Sequence, residues 1–131
     1  MINKQWLYFT VGNERYIHPV KEIERILTDS EIQHKARIEP ALDLDINEVI
    51  DGEEVLPSTH SHSSKTDKVL IFKDNKKAYG VKVDKVLDIL FIQKENIKQT
   101  QNQKYESVIG TINICGKDYT AVNFSDMDSC L

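Results

Sequence analysis

Residues 68–92 read Lys68-Val-Leu-Ile-Phe-Lys-Asp-Asn-Lys-Lys-Ala-Tyr-Gly-Val-Lys-Val-Asp-Lys-Val-Leu-Asp-Ile-Leu-Phe-Ile92. An apolar run is followed by a polar reversal, an alternating run ending at Val83-Asp84, and a further apolar run. This is the pattern of two strands joined at Asp74-Asn75 and then a third strand. The stretch carries no nucleophile, metal-ligand cluster or phosphate loop. A chain whose best-defined region is sheet framework points toward a protein that presents surfaces, a binding module rather than a catalyst.

Strand signals continue on both sides. Residues 5–12, Gln-Trp-Leu-Tyr-Phe-Thr-Val-Gly, are rich in aromatic and β-branched types. Gly12-Asn13-Glu14-Arg15 reads as a turn, after which Arg15-Tyr16-Ile17-His18 restarts a strand to give an N-terminal hairpin. Pro19 ends that strand, because it cannot donate to a sheet ladder. Val20, Ile23, Ile26 and Leu27 fall at helical spacing and predict a short amphipathic helix or helical turn over 20–27. Thr28-Asp29-Ser30 offers a cap for a second short helix, with Glu31 in its first turn. Residues 36–44 form a strand candidate that Pro40 assigns to a sheet edge or a bulge.

Residues 51–67 lose apolar periodicity and are dense in Ser, Thr, Gly and Pro, the composition of a long mobile loop inside one domain. The polar stretch 93–104 reads as another loop, with a helical turn at 94–98. Residues 105–113 and 117–124 make a last strand pair about a turn at Cys115-Gly116, and Ser125-Asp126-Met127 starts a short terminal helix. Many short strands with few helical stretches and no internal repeat predict a mainly β barrel or sandwich.

At 131 residues the chain is one domain's worth of protein. Its apolar and charged fractions, 40% and 29%, are ordinary for a soluble globular protein. A net charge of −4 weighs against a nucleic-acid surface, since phosphate neutralisation needs clustered Lys and Arg. No apolar stretch approaches the ~18–20 residues needed to span a bilayer, and the N-terminus lacks a secretion signal. A cytoplasmic location with no membrane insertion is the expectation. In that compartment Cys115 and Cys130 read as free thiols.

Candidate chemistry is thin. His60 and His62 alternate as metal-binding histidines can, but zinc needs three or four ligands, and no Cys or further His stands nearby in this Ser/Thr-rich loop. His18 and His34 read as surface or packed residues rather than as a base. Cys115 precedes Gly116 in a turn with no flanking signature of a nucleophile. The 21 acidic residues are spread over loops and faces, which is the pattern of a solvated surface. No Gly-rich phosphate loop occurs. The expectation is no cofactor, no metal and no enzyme activity; a small hydrolase or metal-dependent enzyme lacks its constellation.

The order of these features resembles the CheW family, the coupling proteins of bacterial chemotaxis, over nearly the whole length. Tyr8-Phe9-Thr10-Val11-Gly12-Asn13-Glu14-Arg15-Tyr16 resembles the family's opening hairpin, and Ile23-Glu24-Arg25-Ile26 stands where the family has a Val-x-Glu-Ile or Val segment. Pro40-Ala41-Leu42-Asp43-Leu44 matches a Pro-x-x-Asp-Leu, and Gly80-Val81-Lys82-Val83-Asp84-Lys85-Val86 is close to Gly-x-x-Val-Asp-x-Val. Ile109-Gly110, followed by Val122-Asn123-Phe124, is similar to the final hairpin.

The resemblance implies a single domain of two packed SH3-like β-barrels with short helical segments. It further implies a non-catalytic adaptor that bridges the tips of methyl-accepting chemoreceptors and the regulatory domain of a CheA-like histidine kinase. A groove lined with aliphatic side chains would accept the apolar face of the receptor's helical hairpin. The matching positions are Ile23, Val69, Val86 and Ile89, with Arg25 and Lys35 at a charged rim. Pro40, Asp43, Gly80, Val83, Asp84 and Gly110 fit structural roles. Asp84 would bind backbone amides of the next turn, and the two glycines would allow close backbone approach or a bulge. Alternating aliphatics in a strand normally face inward, so for Val69, Val86 and Ile89 a core position outweighs a groove one.

Departures from the family pattern matter. Only Thr28 to Ala36 fills the space where the family has a longer connection with a Gly-x-x-Asn-x-Arg-Gly motif. Lys35-Ala36 then stands in place of Arg-Gly, and Arg25 in place of the usual Glu. Lys is a point charge where Arg is a planar fork, so the swap is not conservative at a bidentate contact. A divergent coupler and a stand-alone interaction or regulatory module retargeted to another partner are therefore both open.

Overall fold

The stretch from Lys68 folds as the three expected strands, but they do not share a sheet. The structure, a computed structural model, describes residues 4–12, 14–28, 46–51, 68–74, 77–99 and 107–124. The strands are β1 Lys4–Val11, β2 Glu14–Pro19, β3 Arg25–Thr28, β4 Ile46–Asp51, β5 Lys68–Asp74 and β6 Lys77–Val83, then β7 Lys85–Ile92, β8 Lys98–Gln99, β9 Val108–Ile114 and β10 Lys117–Val122. β5 and β6 pair antiparallel, with Leu70 opposite Val81 and Phe72 opposite Tyr79. At Asp84 the chain leaves that sheet, and β7 joins β1 instead. The result is a six-stranded sheet in the order β7-β1-β2-β10-β9-β8 and a four-stranded sheet in the order β3-β5-β6-β4.

The chain is mainly β, as its strand pattern predicts. Among the described residues neither sheet's hydrogen-bonded order returns on itself to close a barrel. β10 runs parallel beside β2, pairing Thr120 with Tyr16 and Ala121 with Ile17, so the C-terminal hairpin completes the sheet that the N-terminal hairpin begins.

β1 shows why the sequence folds this way. Leu7, Phe9 and Val11 point to a core shared with Leu70, Phe72, Tyr79, Val81 and Val83 of the other sheet. Trp6 points to the opposite face, where it packs with Ile17, Ile92, Ile97, Tyr119 and Ala121. A strand buried on both faces must be apolar at nearly every position, and β1 reads so from Trp6 to Val11, with Thr10 the exception. Each fully enclosed large side chain contributes roughly 1.5–3 kcal/mol of burial free energy.

Asp84 locks the exchange between sheets. Its backbone N–H donates to the Thr10 carbonyl at 2.8 Å. Its carboxylate Oδ2 accepts the Gly12 N–H, also at 2.8 Å. The Gly12 amide it binds belongs to the β1–β2 turn, distant in sequence. Gly12 has φ 58°, which favours glycine, and sits where that carboxylate reaches its N–H.

Three further elements differ from the sequence reading. Of the helix or helical turn expected over 20–27, only one 3-10 turn forms, Val20–Glu22, and strand β3 follows it. Ile26 and Leu27 find a ladder with Leu70 and Val69 of β5, and the Glu24 N–H donates to Ile71 at 2.7 Å. Eight residues are too few for a helix to stand against such pairing. Thr28 consequently ends β3 rather than capping a helix, and Asp29 and Ser30 lie outside the described residues. The helical turn expected at 94–98 is a 3-10 turn over Lys94–Asn96, and Lys98–Gln99 pair with β9. β4 was not legible as a strand; it pairs parallel to β6, a long-range contact that leaves no local signature. The 36–44 strand, the 52–67 part of the loop and the terminal helix lie outside the described residues.

The last hairpin is as expected. Cys115 and Gly116 connect β9 to β10 with φ of 53° and 83°, the positive values that a two-residue turn matched to strand twist requires. At Gly110, a Cβ would collide with the Lys98 carbonyl oxygen, so only glycine lets β8 approach β9. Gly80 is buried within β6, paired with Ile71 on one side and Val49 on the other.

Candidate partner-binding surface

β7 is the outer strand of the six-stranded sheet, and its apolar residues divide between interior and solvent. Simple alternation would place Val86, Asp88, Leu90 and Ile92 on one face. A β-bulge breaks it: Tyr8 lies opposite Asp88 but Phe9 lies opposite Val86, so Leu87 is the extra residue. Val86 therefore shares Phe9's face and packs on the inter-sheet core, while Leu90 and Ile92 join the opposite core. Ile89 and Phe91, opposite Leu7 and Gln5, return to the inter-sheet face. The bulge is what puts Val86 and Ile89, three positions apart, on one side of the sheet.

Beyond the packed part of that face the strand opens to solvent. Leu87, Ile89 and Phe91 are 49%, 43% and 64% exposed. Ile26 on β3, the outer strand of the other sheet, is 40% exposed. Its partner Leu70 is fully buried on the inter-sheet face. Contiguous exposed aliphatic and aromatic side chains on an outer strand mark an interaction surface or an aggregation liability. Asp88 tempers the second outcome, because its carboxylate Oδ1 accepts the Ile89 N–H at 2.7 Å and occupies a donor that an added strand would need.

The sequence-derived positions scatter over this picture. Ile23 and Val86 are half-buried against the inter-sheet core, and Ile89 is exposed on the strip. Arg25 is exposed at the start of β3. Val69 is a correction: it is fully buried, paired in the ladder with Leu27 and Lys82, so its side chain belongs to the interior and not to a groove wall. Val83 is likewise core. Lys35, Pro40 and Asp43 lie outside the described residues. Leu87, Phe91 and Ile26 were missed. Leu87 and Phe91 sit in a run where every residue but Lys85 and Asp88 is apolar, too apolar for an outer strand unless something covers it. That excess was the available signal.

The buried polar groups serve the fold. His18 is enclosed between the Phe72 and Phe124 rings, with centroids 4.8 and 5.3 Å away. Its Nε2 accepts the Phe124 N–H at 2.9 Å, and Nδ1 contacts the Pro19 carbonyl at 3.0 Å, which fixes the neutral tautomer with the proton on Nδ1. Burial pushes its pKa down to about 4, opposed only in part by the Pro19 hydrogen bond. Tyr79 donates its hydroxyl to the Phe124 carbonyl at 2.8 Å, so both backbone groups of Phe124 are held by side chains, one from each sheet. Such a histidine is a packed acceptor and not a general base. Among the described residues no group of three His, Cys, Asp or Glu could hold a metal, and His34, His60 and His62 lie outside them. Cys115 is an exposed free thiol; Cys130 lies outside the described residues. No described helix is long and apolar enough to cross a membrane.

The two-sheet arrangement and the order of its motifs agree with what known families show. The model of the CheW-like domain matches residues 5–127. The chain belongs to the CheW-like family. Among solved structures it is similar to the crystal structure of the scaffolding protein TtCheW from Thermoanaerobacter tengcongensis, with a TM-score of 0.65. That match covers 92% of this chain and 89% of the other at 14% identity, so it speaks for the fold. No curated protein matches the chain in sequence. CheW-like membership places the chain among chemotaxis adaptors and scaffolds, where function resides in surfaces that bind other proteins.

Proposed function

We propose that this chain is a non-catalytic, cytoplasmic adaptor that couples chemoreceptors to a CheA-like histidine kinase, its two sheets working as one interaction unit. The observation that carries the reading is the apolar strip Leu87, Ile89 and Phe91, left bare on an outer strand of a CheW-like fold. A receptor tip is a helical hairpin, and its apolar face needs a row of exposed aliphatic side chains to pack on. Ile23 and Val86 supply the floor from the inter-sheet core, and Arg25 a charge at the surface.

A second reading, a CheW-like module retargeted to another partner, draws on Arg25 standing where the family carries Glu. Reversing an exposed charge at an interface changes which partners are rejected more than how tightly the right one binds. Titrating the protein against a CheA regulatory domain and a receptor-tip fragment from the same cell separates the two. Micromolar binding to both supports the coupler, and binding to neither favours the retargeted module. An Arg25→Glu variant that leaves receptor affinity unchanged makes Arg25 a bystander.

A further inference from the structure

The six-stranded sheet can be followed row by row across β7, β1 and β2. Ile89, Leu7 and His18 form one row, which runs from an exposed strand into a fully buried position. On the same face, one step outward, Phe91 stands beside Gln5, and the chain leaving β2 brings Val20 alongside. In this outer row Gln5 and Phe91 are exposed and Val20 is half-buried. The row forms the floor of a groove of about 440 Å3 lined by Lys4, Gln5, Pro19, Val20, Lys21 and Phe91.

The groove's chemistry is distinct from that of the chain as a whole. The protein carries a net charge of −4, which on balance repels an acidic ligand. Here both charged lining residues are lysines, both exposed, and the remainder is apolar or neutral. Glu22, the next residue of the 3-10 turn, is half-buried and does not line the groove. An apolar floor with an ammonium at its rim complements an apolar side chain with a carboxylate beside it.

The form of the ligand follows from the strand. Alternate residues of a strand stand roughly 6.7 Å apart. Residues four apart on a helix are separated by about 6 Å along its axis, so Ile89 and Phe91 match successive turns of a helix lying along β7. Pairing of an added strand is disfavoured at Ile89, whose N–H already serves Asp88. We propose that this lysine-rimmed groove takes the apolar anchor of a partner helix that carries a glutamate or aspartate one turn from the anchor. The inference rests on reading the β7 strip as a partner surface, and it adds the sign of charge that the partner must bring.

The probe is a short amphipathic helical peptide with a phenylalanine anchor and glutamate one turn away, compared with its lysine counterpart. Titration is followed by amide chemical shifts of the full chain. The glutamate peptide is expected to bind about three- to tenfold more tightly at low salt, the scale of exposed ion pairs, with shifts centred on Lys4, Lys21 and Phe91. A Lys4→Glu, Lys21→Glu double variant should reverse that order of preference. Phe91→Ala should weaken both peptides alike. Equal affinity for the two peptides, or shifts mapping to another face, overturns the inference. A receptor-tip fragment is titrated in parallel. Its failure to bind while the glutamate peptide does so sinks the coupler reading and leaves this one standing; the converse pattern sinks only this one.

Discussion

β1 and β7 are neighbours in the same ladder and almost equally apolar, yet they do different work. In β1, Trp6, Leu7, Phe9 and Val11 are all buried, divided between two cores. In β7, Val86, Leu90 and Ile92 are wholly or partly enclosed, whereas Leu87, Ile89 and Phe91 are exposed. Composition does not separate these strands. Position does, because β1 is flanked by β2 and β7, whereas among the described residues β7 is flanked on one side only. The comparison teaches that an apolar residue on an outer strand carries information about function that the same residue on an inner strand does not.

The sharpest way to break the comparison is to truncate an aromatic on each strand. Phe9→Ala should cost about 3–5 kcal/mol in denaturant unfolding, because Phe9 stacks on Tyr16 and is wholly enclosed. Phe91→Ala should stay within about 0.5 kcal/mol of the parent. Similar losses at both sites would show that Phe91 is structural and that the strip is not a free surface.

A second test extends the comparison along the row from Ile89 through Leu7 to His18, the deepest member. The folded-state pKa of His18 is depressed from 6.5 to about 4, so the folded protein holds the ring neutral while the unfolded chain takes up a proton below 6.5. The stabilising contribution is complete above pH 6.5 and declines as pH falls toward 4, by about 3 kcal/mol in all. Unfolding free energies measured across that window should show the decline, and His18→Phe should flatten it. A parent profile that is flat over the window would mean that His18 is less enclosed than its row implies.

Asp88 provides a smaller and more specific test. Asp88→Ala frees the Ile89 N–H at the rim of the sheet and should cost roughly 0.5–1.5 kcal/mol. It should also raise concentration-dependent self-association, visible in sedimentation, since an edge donor and three apolar side chains are then both available. The smallest expected effect lies away from both strands, at Cys115. Its φ of 53° suits Asn better than Cys, so Cys115→Asn should gain a few tenths of a kcal/mol to about 1 kcal/mol in thermal unfolding.

Much of this fold is legible in the sequence where local chemistry decides it. Asp74-Asn75 marks a hairpin by its turn chemistry, and Gly12 and Cys115-Gly116 mark reversals whose positive φ these residues supply. What was hidden depends on partners distant in the chain. Val20, Ile23, Ile26 and Leu27 keep helical spacing, but a ladder with β5 captures the last two. β4 has no strong alternation and forms by parallel pairing to β6. The candidate surface was visible in part. Val86 and Ile89 could be named from the motif that carries them, but alternation alone puts them on opposite faces, and only the bulge opposite Tyr8 and Phe9 reconciles them. Val69 reads the same in sequence as Ile89 and is interior, because β5 lies between two other strands.

The most direct test of a docking strip on β7 is the affinity of a receptor-tip fragment for the parent and for a Leu87→Ser, Ile89→Ser, Phe91→Ser triple variant. Both should be measured by titration calorimetry at matched thermal stability. Loss of at least tenfold in affinity with the unfolding transition unchanged is the predicted result. Equal affinity in a variant that remains folded would contradict it.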